Sequence, residues 1–191
     1  ENLPEWKQRH KNINGIYHVR NCSQGNDKKG KEFAHPFNHN NLIQIHNGTM
    51  NFLIFGPEHE QLKDRVNHKD IDSQNFLKTL DYFVEQNPPL KPEHINKVIK
   101  NWNGTFALIL IDKRTPGKVT IVKDDEKKLH LCSLKIGKTP AGIIVNTSHF
   151  ELQYVANILI NYAAALNIKL TSKIEELEDS QIWQYTIGTY E

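Results

Sequence analysis

Leu42-Ile43-Gln44-Ile45-His46-Asn47-Gly48-Thr49-Met50-Asn51 is the stretch on which the reading of this 191-residue chain turns. Leu42 to His46 reads as a strand. Asn47-Gly48 is a strong turn signal, because both residue types tolerate positive φ, so the strand is expected to end there. Upstream, Ile16-Tyr17-His18-Val19-Arg20 alternates apolar and polar residues as in a half-buried strand, and 21–32, rich in Gly, Asn, Lys and Ser, reads as an exposed loop. Downstream, Phe76, Leu77, Leu80, Phe83 and Val84 recur at three- and four-residue intervals and predict an amphipathic helix over 74–86, with Asp72 and Ser73 as caps. Asn87-Pro88-Pro89 closes it, and a shorter helical pattern runs from Pro92 to Asn101. Strands follow at 105–112, 118–123 and 129–134, spaced like an antiparallel meander, and another at 142–147. A strongly apolar helix over 150–166, expected to be core, and a last strand at 182–187 complete the pattern. Helices in separate groups with strands clustered between them indicate one α+β domain spanning 1–191, in which helices cover stacked antiparallel sheets.

Composition narrows the function classes. Lys and Arg total 24 against 22 Asp and Glu, a net +2, so electrostatics gives no reason to expect a nucleic-acid or membrane partner. Lys28, Lys29 and Lys31 lack an aromatic platform and have Asp27 beside them, which argues against single-stranded nucleic-acid binding. No apolar run approaches the ~20 residues of a membrane span, and no apolar signal-peptide core opens the chain. Cys22 and Cys132 have neither a disulfide framework nor metal-ligand spacing, which points to free thiols in a reducing, cytoplasmic setting. No cofactor motif or metal-ligand cluster is read. Arginine is scarce, at four residues (Arg9, Arg20, Arg65 and Arg114). Where lysine dominates, an arginine implies a need for its planar fork.

Five short stretches carry a resemblance: His18-Val19-Arg20-Asn21-Cys22-Ser23-Gln24-Gly25, Ala34-His35-Pro36-Phe37, His46-Asn47-Gly48-Thr49-Met50-Asn51, Asp70-Ile71-Asp72-Ser73-Gln74 and Asn103-Gly104-Thr105-Phe106-Ala107. In this order they resemble the motifs of class II glutamine amidotransferases, the group that includes glucosamine-6-phosphate synthase and amidophosphoribosyltransferase. The resemblance implies a four-layer αββα sandwich of two antiparallel sheets flanked by helices, of the N-terminal-nucleophile (Ntn) hydrolase kind. It also implies free glutamine as ligand and a synthase domain as receiver of ammonia. By the same resemblance, Arg20 and Ser23 would take the glutamine carboxylate, Asp72 its ammonium group, and Asn47 and Gly48 would form the oxyanion hole.

The sequence also departs from that family. Asn21, Cys22, Gln24 and Gln74 stand where it has tryptophan, alanine, histidine and glutamate. The family's nucleophile is an amino-terminal cysteine whose own amine is the base, whereas this sequence opens with Glu1 and both its cysteines are internal. The expectation is therefore that the strands bearing the nucleophile are missing here, and that a longer natural polypeptide or another chain supplies them. As it stands the chain is expected to be inactive. A glutaminase completed by such a segment is the leading reading; a noncatalytic assembly subunit of the same fold, or a homo-oligomer, remains open.

Overall fold

The computed structural model describes residues 33–178 and 181–186. Among them are two antiparallel sheets. The first has five strands in the order β1-β2-β3-β4-β8: β1 Phe37–His39, β2 Leu42–Phe52, β3 Trp102–Asp112, β4 Lys118–Lys123 and β8 Ile182–Thr186. The second has three in the order β6-β5-β7: β5 His130–Ile136, β6 Thr139–Asn146 and β7 Leu170–Glu176. Four α-helices accompany them: α1 His59–Leu62, α2 Asp72–Gln86, α3 Pro92–Ile99 and α4 His149–Ala165.

The centre of the first sheet is the β2–β3 pair, and it corrects the expected turn. β2 does not stop at Asn47-Gly48 but pairs along its whole length with β3, from Leu42↔Asp112 to Phe52↔Trp102. Gly48 and Gly104 have φ of 141° and 131°, in the region that side chains avoid. A Cβ on Gly48 would lie 1.9 Å from the Thr105 carbonyl oxygen, and one on Gly104 2.1 Å from that of Thr49. The conformational freedom that makes Asn-Gly a turn signal serves here to bring two backbones into close contact within a continuous strand.

Strand alternation then sorts the core. Even-numbered residues Leu42 and Met50 of β2, and Phe106, Leu108 and Leu110 of β3, share one apolar cluster with Phe76, Leu77 and Leu80 of α2 and Ile95 and Val98 of α3. All five periodic residues of α2 are buried, and Phe76, Leu80 and Val84 are fully so. The opposite face contributes Ala107 and Ile121 to a second cluster with Leu129, Leu131 and Leu177. Beyond the second sheet, Cys132 and Leu134 pack on Leu152 and Ala156 of α4. Each such side chain stabilises the fold by about 1.5–3 kcal/mol on full burial, less for the small ones.

Other expectations need adjustment. The 129–134 strand, observed as His130–Ile136, does not continue a meander from β4: it pairs with β6 and β7 in the second sheet. The chain crosses over at Asp124, whose Oδ1 accepts from the Glu126 and Lys127 amides at 3.0 and 2.7 Å and so turns it away from β4. β7 was not anticipated, because only Leu170 and Ile174 of its seven residues are strongly apolar. Helix α2 begins at Asp72, and its N-cap is Ile71 rather than Asp72 or Ser73. The Ile71 N–H donates to the Gln74 side chain at 3.2 Å. Finally, α4 is not core throughout. Leu152, Ala156 and Ala163 are buried, but Phe150, Tyr154, Ile158 and Tyr162 are about half exposed or more.

One buried carboxylate joins the helical layer to the sheet. Asp112, at the end of β3, accepts from the Leu90 amide at 2.7 Å and forks with Arg114 Nε and Nη2 at 2.8 and 2.9 Å. Burial alone would raise its pKa, but the bonds from Arg114 and Leu90 outweigh that and hold it below the usual carboxylate value.

Candidate functional site

β1 covers only Leu42 to Gln44 of β2. Past Gln44 that edge of β2 meets the start of α2, and three contacts tie the two together. Gln44 Nε2 donates to the Ser73 carbonyl at 3.1 Å, His46 Nδ1 and Ser73 Oγ share a hydrogen bond of 2.7 Å, and the Met50 N–H donates to Asp72 Oδ2 at 2.9 Å. Asp72 Oδ1 accepts from the Ser73 amide at 2.8 Å and from its hydroxyl at 3.3 Å. An acid in the first turn of a helix is also favoured by the partial positive charge of the helix N-terminus. The side chain is 24% exposed, so the carboxylate is fixed yet reachable from solvent.

Asn47 and Gly48 lie between His46 and Met50, the two β2 residues tied to α2. A strand's amides alternate between its two edges, so the Gly48 N–H shares the edge of Met50, whose N–H Asp72 engages. Asn47 sits on the opposite face to His46 and is exposed. Its neighbours on that face are Thr49 and Asn51 and, across β3, Asn103 and Thr105. The face is apolar at Ala107 and Ile121, where the second cluster covers it, and polar and open along this shelf of neutral amides and hydroxyls. The chemical capacity follows from the atoms. A carboxylate has about four acceptor positions, of which the Met50 amide and the Ser73 amide and hydroxyl take three, leaving room for a cation such as an ammonium group. N–H donors along the same strand suit a developing oxyanion.

The structure thus ties Asp72, at the start of α2, to the edge of β2 that carries the Gly48 and Met50 amides, whereas the Asn47 side chain lies on the face turned away from His46 and α2. Arg20 and Ser23, assigned to the ligand carboxylate, lie outside the described residues, as do His18 and Cys22. Cys132 is fully buried under α4, and burial pushes its thiol pKa up, so it is no exposed thiolate. Gln44, Ser73 and the Met50 amide were not singled out from sequence. Ser73 carries a signal in the sequence, since it stands beside Asp72 in a matched motif. A cleft of about 90 Å³ between β1 and α2, lined in part by His39, Asp70, Gln74 and Lys78, is well below the roughly 300 Å³ of ordinary ligand pockets and does not include Asn47. Among the described residues no group of three or more His, Cys, Asp or Glu is arranged to hold a metal ion, and no helix is long and apolar enough to cross a membrane.

The chain is similar in structure to glutamine phosphoribosylpyrophosphate amidotransferase from B. subtilis, a class II glutamine amidotransferase solved with ADP and GMP. The identity is 13% and the TM-score 0.42, over 91% of this chain and 34% of that one. It is also similar to an allosteric regulatory enzyme of purine biosynthesis, at 12% identity and a TM-score of 0.41, over 84% of this chain and 32% of that one. The chain therefore spans about a third of the length of these proteins. No protein-family model matches it, and neither does any curated protein.

Proposed function

We propose that the chain is the larger part of a glutaminase domain of the class II amidotransferase kind, with the layers α2/α3, first sheet, second sheet and α4 forming an αββα sandwich. Asp72 takes the ammonium group of glutamine, Arg20 and Ser23 its carboxylate, and Asn47 Nδ2 with the Gly48 N–H the oxyanion. A cysteine thiolate from an upstream segment or a second chain attacks the side-chain amide carbon. The C–N bond then breaks, protonated nitrogen leaves as ammonia, and water hydrolyses the thioester to glutamate. The observation that carries this reading is the Asp72 carboxylate, anchored by the Met50 amide two residues beyond Gly48. An amine clamp and an oxyanion donor on one strand edge are what a glutamine site requires.

One observation favours a second reading, a noncatalytic assembly subunit. The hydrogen bonds that Asp72 makes among the described residues are internal: the Met50 amide ties it to β2, as a structural staple would, and the Ser73 amide and hydroxyl hold it within the first turn of α2. The two readings part on Asp72→Asn in the natural full-length protein. The substrate role predicts a KM for glutamine raised at least tenfold, because the ammonium loses its counter-charge, with little change in melting temperature. A lower melting temperature and no glutaminase activity in the parent protein would favour the staple.

A further inference from the structure

Gly48 lies against β3 with no room for a side chain. The Thr105 carbonyl oxygen occupies the space a Gly48 side chain would need, 1.9 Å from the position of a Cβ. That oxygen belongs to the peptide unit joining Thr105 and Phe106, which is planar, with C=O and N–H pointing in opposite directions. The N–H of the same unit donates to Asp124 Oδ2 in a short bond, and the Asp124 amide donates to the Phe106 carbonyl at 3.0 Å. The carboxylate is held in turn by the Glu126 and Lys127 amides on its Oδ1. One planar unit therefore runs from the crossover turn after β4 to Gly48, gripped by a charged acceptor at one end and, at the other, filling the place where a Gly48 side chain would stand. Charge-assisted bonds are about twice as strong as neutral ones, so Asp124 resists rotation of this unit better than a neutral side chain does.

We propose that Asp124 is a positioning residue for the oxyanion hole: through the Thr105–Phe106 peptide it fixes the direction of the Gly48 N–H without touching substrate. This rests on the glutaminase reading for its catalytic meaning but not for its mechanics. Asp124→Asn keeps the size of the side chain while replacing one acceptor oxygen with a donor, so either the Phe106 amide or the turn amides lose their partner. Should that variant not fold, Asp124→Ser, which retains one acceptor, serves the same purpose. In the chain itself, amide NMR of either variant is expected to show the Gly48 resonance displaced, while the amides of α4 are unmoved. Displacement confined to Phe106 and the turn, with Gly48 unchanged, overturns the proposal. In the natural full-length protein the expected effect is a fall of about tenfold or more in kcat with KM for glutamine unchanged, since an oxyanion contact is made mainly in the transition state. Equal losses through KM, or unchanged kcat, contradict it. If the parent protein releases no ammonia while Gly48 still responds, the glutaminase reading fails and the mechanical link stands.

Discussion

Helices α2 and α4 pack on different sheets, α2 on the first and α4 on the second, and are built from different patterns. α2 is amphipathic, and Phe76, Leu77, Leu80, Phe83 and Val84 are all buried in the main cluster. α4 is apolar nearly all round: Leu152, Ala156 and Ala163 face the second sheet, whereas Phe150 and Tyr154 are 81% and 63% exposed. A narrow apolar stripe tells which face is covered; a uniformly apolar helix says only that burial is available on any face. The difference teaches that the α2 side is held by specific contacts, including Asp72 and Asp112, and the α4 side by a thinner cluster.

The largest effect that sharpens this contrast is in α2. Phe76→Ala is expected to cost about 3–5 kcal/mol in denaturant-induced unfolding, because Phe76 is fully buried against Trp102 and its neighbours. A loss under about 1 kcal/mol would show that this core is not packed as described. Acid should act next, and on the same side. His94 of α3 is buried, which lowers its pKa from 6.5, so the unfolded chain binds the proton more readily, and stability is lost as pH falls from about 6.5. Asp112, its pKa also held low, adds a further loss as pH falls below the ordinary carboxylate value toward its own. Hydrogen-exchange protection factors, corrected for the intrinsic pH dependence of exchange and followed from about pH 7.5 downward, are expected to fall in α3 and at Leu90 before α4; the reverse order would break the comparison. Smaller still is Ile158→Ser on the open face of α4, expected to shift stability by no more than about 0.5 kcal/mol, whereas a loss above about 2 kcal/mol would mean that the face is covered. In a Cys22→Ser background, Cys132 should react with a thiol reagent only on unfolding; prompt labelling of the native protein would place it elsewhere than beneath α4.

Legibility in the sequence followed the same physics. The α2 stripe is a side-chain pattern, and that helix stands where the pattern puts it; the strand expected over Leu42 to His46 is present but runs on to Phe52. The pairing of β2 with β3 through Gly48 and Gly104 was not legible, since a glycine announces freedom of φ without saying whether a turn or a close approach uses it. At the site, Asp72 was marked by its motif, but its partner is the Met50 backbone amide, and a backbone donor leaves no trace in residue identity. The scarcity of arginine proved informative about chemistry. Arg114 forks onto Asp112 and Arg65 lies 4.5 Å from the Tyr82 ring centroid, both uses of the planar guanidinium that lysine cannot copy. Both uses are structural, so scarcity alone does not assign Arg20 to a ligand.

The proposed glutamine site is the β2 edge that carries the Gly48 and Met50 amides, with Asp72 beside it. The direct test is titration of isotopically labelled protein, in its natural full-length form, with L-glutamine while the backbone amides are followed by NMR. Saturable displacement of the Gly48, Met50 and Ser73 resonances, abolished by Asp72→Asn, is the result expected. Amides of β2 and α2 that stay still up to the solubility limit of glutamine, or that respond equally to D-glutamine, would contradict the claim.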